Sequence, residues 1–153
     1  MKNMVRICPV VLSVIVAASA AAGQTGVRRG PDPTTIRDAA LEKESLHNLE
    51  VARHYFKMKK AYRAALDRVE EIIAGNPNFS RLDEALYIAG MSSLYLAENK
   101  GKQAPRLSPE KLRDDARTYF TRLVREFPDS PFRKEVEERL TKLGGPKTDL
   151  PEK

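Results

Sequence analysis

The sequence predicts an all-α fold, a short α-solenoid of helix hairpins with about two repeats and a C-terminal capping helix. Three observations predict it. Apolar residues recur at spacings of three and four along five segments between positions 35 and 144. Breaks built on Gly and Pro, such as Gly75-Asn76-Pro77 and Pro128, stand between those segments. No stretch sustains the alternation of a half-buried strand. With 41% apolar and 31% charged residues in 153, the chain has the balance of one globular domain and not that of a disordered one.

The N-terminal stretch stands apart from this domain. Lys2 and Arg6 precede an apolar run from Ile7 to Ala18, followed by small residues through Gly23. That order reads as a secretory signal peptide over 1–22, with an Ala18-Ser19-Ala20 cleavage pattern, and implies a periplasmic protein. The run is shorter than the about 20 apolar residues a membrane span needs. Cys8, the single cysteine, opens the run instead of closing it, so it is not read as a lipidation site. A mature chain without cysteine is held by packing alone. The formal charge of +6 falls slightly with the loss of Lys2 and Arg6. The remaining basic excess reads as a mixed surface, with an acidic partner or anionic lipid as the alternatives. No nucleic-acid module is present, so no nucleic acid is expected as partner.

Residues 23–34, rich in Gly, Pro and Arg, read as a flexible leader. The helical domain is expected over 35–144. Thr35 with Asp38 suggests a capping box for a first helix reaching about Lys59, with Leu46, Leu49, Ala52 and Phe56 on one face. A minimal turn at Lys60-Ala61 leads to a second helix, on which Tyr62, Ala65, Leu66, Val69, Ile72 and Ile73 share a face. Ser80 with Asp83 suggests the start of a third, with Leu82, Ala85, Leu86, Ala89 and Leu96 inward. Asn99 to Leu107 is a basic loop. Ser108-Pro109 is an N-cap followed by proline at the first helical position, where a missing amide costs nothing. The fourth helix carries Ala116, Phe120, Leu123, Val124 and Phe127. Ser130-Pro131 signals a fifth, with Val136, Leu140 and Leu143 inward, and the tail 145–153 is expected to be disordered.

The second helix of each pair repeats one skeleton. Ala65, Val69, Ile72 and Pro77 match Ala116, Phe120, Leu123 and Pro128 at equal spacing. This agrees with the alanine–aromatic–alanine–proline skeleton of the second half of a tetratricopeptide repeat. Pro77 and Pro128 stand further apart than one period of about 34 residues, and most of the surplus falls in the Asn99–Arg113 region. The stretches Ala52–Ile72, Arg81–Gly90 and Tyr119–Leu140 resemble the BamD-like outer-membrane protein assembly factors of this repeat superfamily. The turn Phe127–Pro131 is also similar to one in CpoB, a cell-division coordinator. The resemblance implies a periplasmic scaffold, possible association with the outer membrane, and partners among envelope assembly proteins such as BamA or their client polypeptides. It departs in lacking a lipidation signal and in having fewer repeats.

In such a stack the first helix of each pair lines the concave face. That assigns His47, Glu50, His54 and Lys57, with Met58, to a partner-binding groove from the first pair. Glu84, Tyr87, Met91, Leu94 and Tyr95 follow from the second. Tyr87, Met91 and Tyr95 recur at i, i+4 and i+8 on the side expected to face water. An apolar strip of this kind favours association at about 25 cal/mol per Å² buried. The alternative is that the 99–113 loop or the first long helix folds over the strip.

His47, Glu50 and His54 share a helix face without an assignable third or fourth ligand, so no metal and no cofactor are expected. Arg53, Lys57, Lys59, Lys60 and Arg63, and the loop cations Lys100, Lys102 and Arg106, form basic clusters. They read as solvated surface, or as contacts for anionic headgroups or acidic partners. No phosphate loop, nucleophile elbow or mature cysteine supports an enzyme. Adjacent carboxylates such as Glu70-Glu71 and Asp114-Asp115 point about 100° apart on a helix and cannot share a site. The expected function is protein binding in support of outer-membrane protein assembly. The alternatives are a CpoB-like or other cell-envelope complex adaptor, or a self-associating repeat protein.

Overall fold

A computed structural model describes residues 38–148. The signal peptide, the leader and Thr35 lie outside them. Among the described residues the elements are α1 (Ala39–Arg53), a π-helical segment (His54–Lys59), α2 (Tyr62–Gly75), α3 (Leu82–Ala97), α4 (Pro109–Glu126) and α5 (Arg133–Lys142), without a strand. The order is two antiparallel hairpins and a closing helix, the architecture of a short tetratricopeptide-type stack. Helix α3 packs between α2 and α4, while α1 lies mainly on α2 and α5 on α4.

The repeat skeleton forms the core. Ala65, Val69, Ile72, Ala116, Phe120 and Leu123 are all buried. Close approach of α3 and α4 rests on Gly90: a Cβ there would stand 2.3 Å from Cε1 of the Phe120 ring. A small residue on one helix therefore receives the aromatic plug of the next. Helix α3, surrounded by neighbours, buries Ile88, Met91 and Leu94 as well as the expected stripe of Leu82, Ala85, Leu86, Ala89 and Leu96.

Helix starts follow local chemistry, with three departures from expectation. Ser108 caps α4 as its sequence implies, its hydroxyl accepting from Lys111 N at 3.3 Å ahead of Pro109. Asp38 is itself the N-cap of α1, accepting from Ala40 N at 2.8 Å. Ser80 does not cap α3; its amide donates to Glu42, and Asp83 accepts instead from the Ser130 hydroxyl at 2.8 Å. Ser130 in turn accepts from Phe132 N, so α5 begins later, at Arg133.

In α1, Leu49 and Ala52 are buried but Leu46 is 41% exposed. The inward residue at that turn is Ser45, whose hydroxyl accepts from Asn76 Nδ2 at 3.1 Å. A hydrogen bond thus replaces the expected leucine contact and holds the end of α2. The first helix also changes winding at His54. Six residues of π-helix carry it to Lys60, which takes the left-handed conformation (φ 51°) and reverses the chain into α2.

The long loop docks on the start of α2. Lys102 N donates to Lys60 O at 3.1 Å, Ala64 N donates to Gln103 Oε1 at 3.0 Å, and Arg63 reaches Ala104 O at 3.2 Å. No side chain of Ala61 can cap α2, and Gln103 satisfies one of its orphan amides instead. After α5, Arg117 donates to Gly145 O and Pro146 O, and Lys147 bonds both Thr121 Oγ1 and Asp114. The first residues of the tail expected to be disordered are therefore tied to α4; residues 149–153 lie outside the description.

Candidate functional site: the inner face of the stack

Helices α1 and α3 meet side by side through one ionic contact. Arg53 grips Glu84 with two hydrogen bonds, Nε–Oε1 at 2.5 Å and Nη2–Oε2 at 2.6 Å, and Arg81 adds a third at 2.7 Å. Glu84 is 7% exposed. Burial on its own would raise its pKa, but the Arg53 hydrogen bond and the charges of Arg53, Arg81 and Lys57 outweigh it and hold the carboxyl below its ordinary range. Glu84, expected on the groove wall, is instead the ionic fastening between the two hairpins. Its sequence position cannot reveal this, because Arg53 lies on another helix.

Met91 and Leu94 also depart from expectation. They are 1% and 8% exposed and present no wall to solvent. The reason lies one turn to either side of Met91. Tyr87 stacks on Phe132 (centroids 4.4 Å, planes 16° apart), and its hydroxyl donates to Glu135 Oε2 at 2.9 Å. Burial, followed by that hydrogen bond, raises the Tyr87 pKa above the usual tyrosine range. Tyr95 stacks on Phe56 at 5.9 Å and tilts against Tyr62 at 4.7 Å. The π-helical segment and the start of α5 thus hold the two tyrosines. The 99–113 loop, the expected alternative cover, reaches only the Tyr95 end of the strip, with Lys100 Nζ 5.4 Å from the ring centre, and otherwise docks on the start of α2.

Tyr87 and Tyr95 stay partly exposed, and His47 and Glu50 on α1 and His54 and Lys57 on the π-helical segment are exposed. Met58 is 73% exposed. The contacts of Arg53 with Glu84 and of Phe56 with Tyr95 place the C-terminal half of this row beside the tyrosines of α3. A Tyr87→Ala, Met91→Ala double substitution removes core packing, so it reports on folding before it reports on binding.

Sequence reasoning missed Arg53, Phe132, Glu135 and Arg81 as builders of this face. Phe132, Glu135 and Arg139 stand at i, i+3 and i+7, a helix-face spacing that could have marked a second functional side of α5. Among the described residues no group of three or more His, Cys, Asp or Glu side chains is placed to hold a metal ion. No described helix is long and apolar enough to cross a membrane.

A family model, YfiO, described as an outer membrane lipoprotein, matches residues 43–145, which takes in most of α1 and all of α2 to α5. Among curated proteins nothing matches.

Proposed function

Because the chain belongs to the YfiO family, the BamD-like outer membrane lipoproteins of tetratricopeptide type, we propose that it is a periplasmic protein-binding scaffold supporting outer-membrane protein assembly. Its partner is a segment of an assembly-complex protein or of a client polypeptide, laid along the inner face. One observation carries the reading. Two tyrosines, fixed by Phe132 and Phe56, stand beside a row of exposed polar and charged side chains on α1 and the π-helical segment. Rigid aromatic edges lose little entropy on binding, and the polar row can pair with a partner's backbone and charges.

The reading is non-enzymatic. The buried carboxylate of this face, Glu84, is neutralised by Arg53 and Arg81 and is not poised as an acid or base. The partner groove now comprises His47, Glu50, His54, Lys57, Tyr87 and Tyr95, with Glu84, Met91 and Leu94 beneath it as support.

His54→Glu with Lys57→Glu takes the row from no net charge, Glu50 against Lys57, to three carboxylates at exposed positions, and is expected to leave the helical fold intact by circular dichroism. Binding of an unfolded outer-membrane barrel polypeptide, or of the soluble domains of the barrel assembly protein, should weaken at least about tenfold, the loss expected when the charge pattern of a contact surface is changed. Undiminished capture of both by the folded variant would count against the inner face as the binding site.

A further inference from the structure

The two basic clusters of the sequence, separated by most of α2 and all of α3, meet in space. The π-helical segment delivers Lys59 and Lys60 to the reversal before α2. The Asn99–Leu107 loop, the stretch that exceeds the repeat period, brings Lys100, Lys102 and Arg106 to the same place. The contact is direct: Lys102 N bonds Lys60 O, and a Cβ on Gly101 (φ +92°) would stand 2.5 Å from that carbonyl oxygen. Only glycine lets the loop close on the reversal at this distance. Arg63 completes the junction through Ala104 O. Beneath it lie Phe56, Tyr62 and Tyr95, with Lys100 Nζ 5.4 Å from the centre of the Tyr95 ring. The aromatic cluster and the loop contacts therefore fix the backbone that carries the cations at this tip, and Tyr95 holds Lys100 itself.

The charge at this tip is mostly uncompensated. Glu98 pairs with Lys100 and Asp67 with Arg106, while Lys59, Lys60 and Lys102 are exposed and make no ion pair among the described residues. Residues 38–148 carry 21 Lys and Arg against 18 Asp and Glu. The tip holds six of those cations and two of those acids, so acids outnumber cations elsewhere. Separation of this kind gives the domain a positive pole.

We propose that this pole is a docking surface for an anionic membrane face, its lysines meeting phosphate headgroups. The inference does not rest on the inner-face reading: its cations Lys59, Lys60 and Lys102 lie outside that face, although Tyr95 and Met58 border both. A membrane is favoured over an acidic protein by Met58, 73% exposed between Lys57 and Lys59. A flexible apolar stem flanked by cations suits the boundary between headgroups and acyl chains. Membership of a family of outer membrane lipoproteins places such a surface within reach. Each lysine near an anionic bilayer is worth about fivefold in partition.

The test is co-sedimentation of the full chain with vesicles of mixed phosphatidylglycerol and phosphatidylcholine, against phosphatidylcholine alone. The apolar stretch 7–18 is common to all variants and cancels in the ratio of the two. Lys59→Gln, Lys60→Gln and Lys102→Gln together should cut the preference for anionic vesicles by about 20-fold or more, with an unchanged thermal melt. Lys43→Gln, Lys134→Gln and Lys142→Gln, an equal change of charge elsewhere on the surface, should retain most of it. Met58→Ser should weaken binding by a smaller factor. Equal partition of the parent onto both vesicle types overturns the proposal, as does an equal loss in the two triple variants. Loss of an acidic protein partner by the tip variant, with vesicle binding intact, overturns it in favour of a protein contact.

Discussion

Phe120→Ala is expected to destabilise the domain by about 3–5 kcal/mol, the cost of emptying a fully buried aromatic site. Phe120 is wholly buried and occupies the space that Gly90 leaves on the facing helix. Gly90→Ala produces the opposite defect. Alanine favours a helix interior by about 1 kcal/mol over glycine, but its methyl group would meet a ring with no room to move. Overpacking of about 1–3 kcal/mol should outweigh the gain, and the variant should unfold at lower urea. Combining the two substitutions should cost clearly less than the sum of the singles, because the cavity of one accepts the methyl of the other. Additive effects, or a Gly90→Ala variant as stable as the parent, would contradict a tight fit of Phe120 against Gly90.

Glu84→Ala is the second large effect, at about 3 kcal/mol. Removing a buried carboxylate strands the two guanidiniums that face it, although Arg53 and Arg81 keep some access to water, which limits the penalty. The same contact sets an acid dependence. The folded Glu84 pKa lies below its unfolded value, so its stabilisation is complete above the ordinary glutamate pKa of about 4.3 and disappears as the pH falls through the lower, folded value. Urea midpoints of the parent should drop more steeply below about pH 4.3 than those of Glu84→Gln. Parallel profiles would remove Glu84 from the acid response.

The hairpins were legible because helix periodicity and helix-breaking chemistry are local. The Ala65 and Ala116 skeletons, the Ser108-Pro109 start and the Gly75-Asn76-Pro77 stop all act within a few residues, and the coordinates place them accordingly. The inner face was less legible. Reading α3 as a helix with one buried stripe sends Glu84, Met91 and Leu94 to solvent; a helix flanked by neighbours buries other sides too, and those neighbours come from distant sequence. Arg53 selects Glu84, Phe132 selects Tyr87 and Phe56 selects Tyr95, and none of these pairings has a spacing to betray it. The π-helical winding at His54–Lys59 was hidden as well, since the local residues read as ordinary helix. Leu46 shows the same limit in reverse, since an apolar residue at helical spacing lost its inward place to Ser45 through a bond with Asn76.

A photoreactive amino acid at His54 in one variant, and at the exposed Ala74 of α2 in another, puts the scaffold reading to its most direct trial in living cells. Adducts with an envelope assembly protein or a nascent barrel polypeptide are expected from position 54 and not from position 74. Adducts formed equally from both positions, or from position 74 alone, would contradict a partner seated on the inner face.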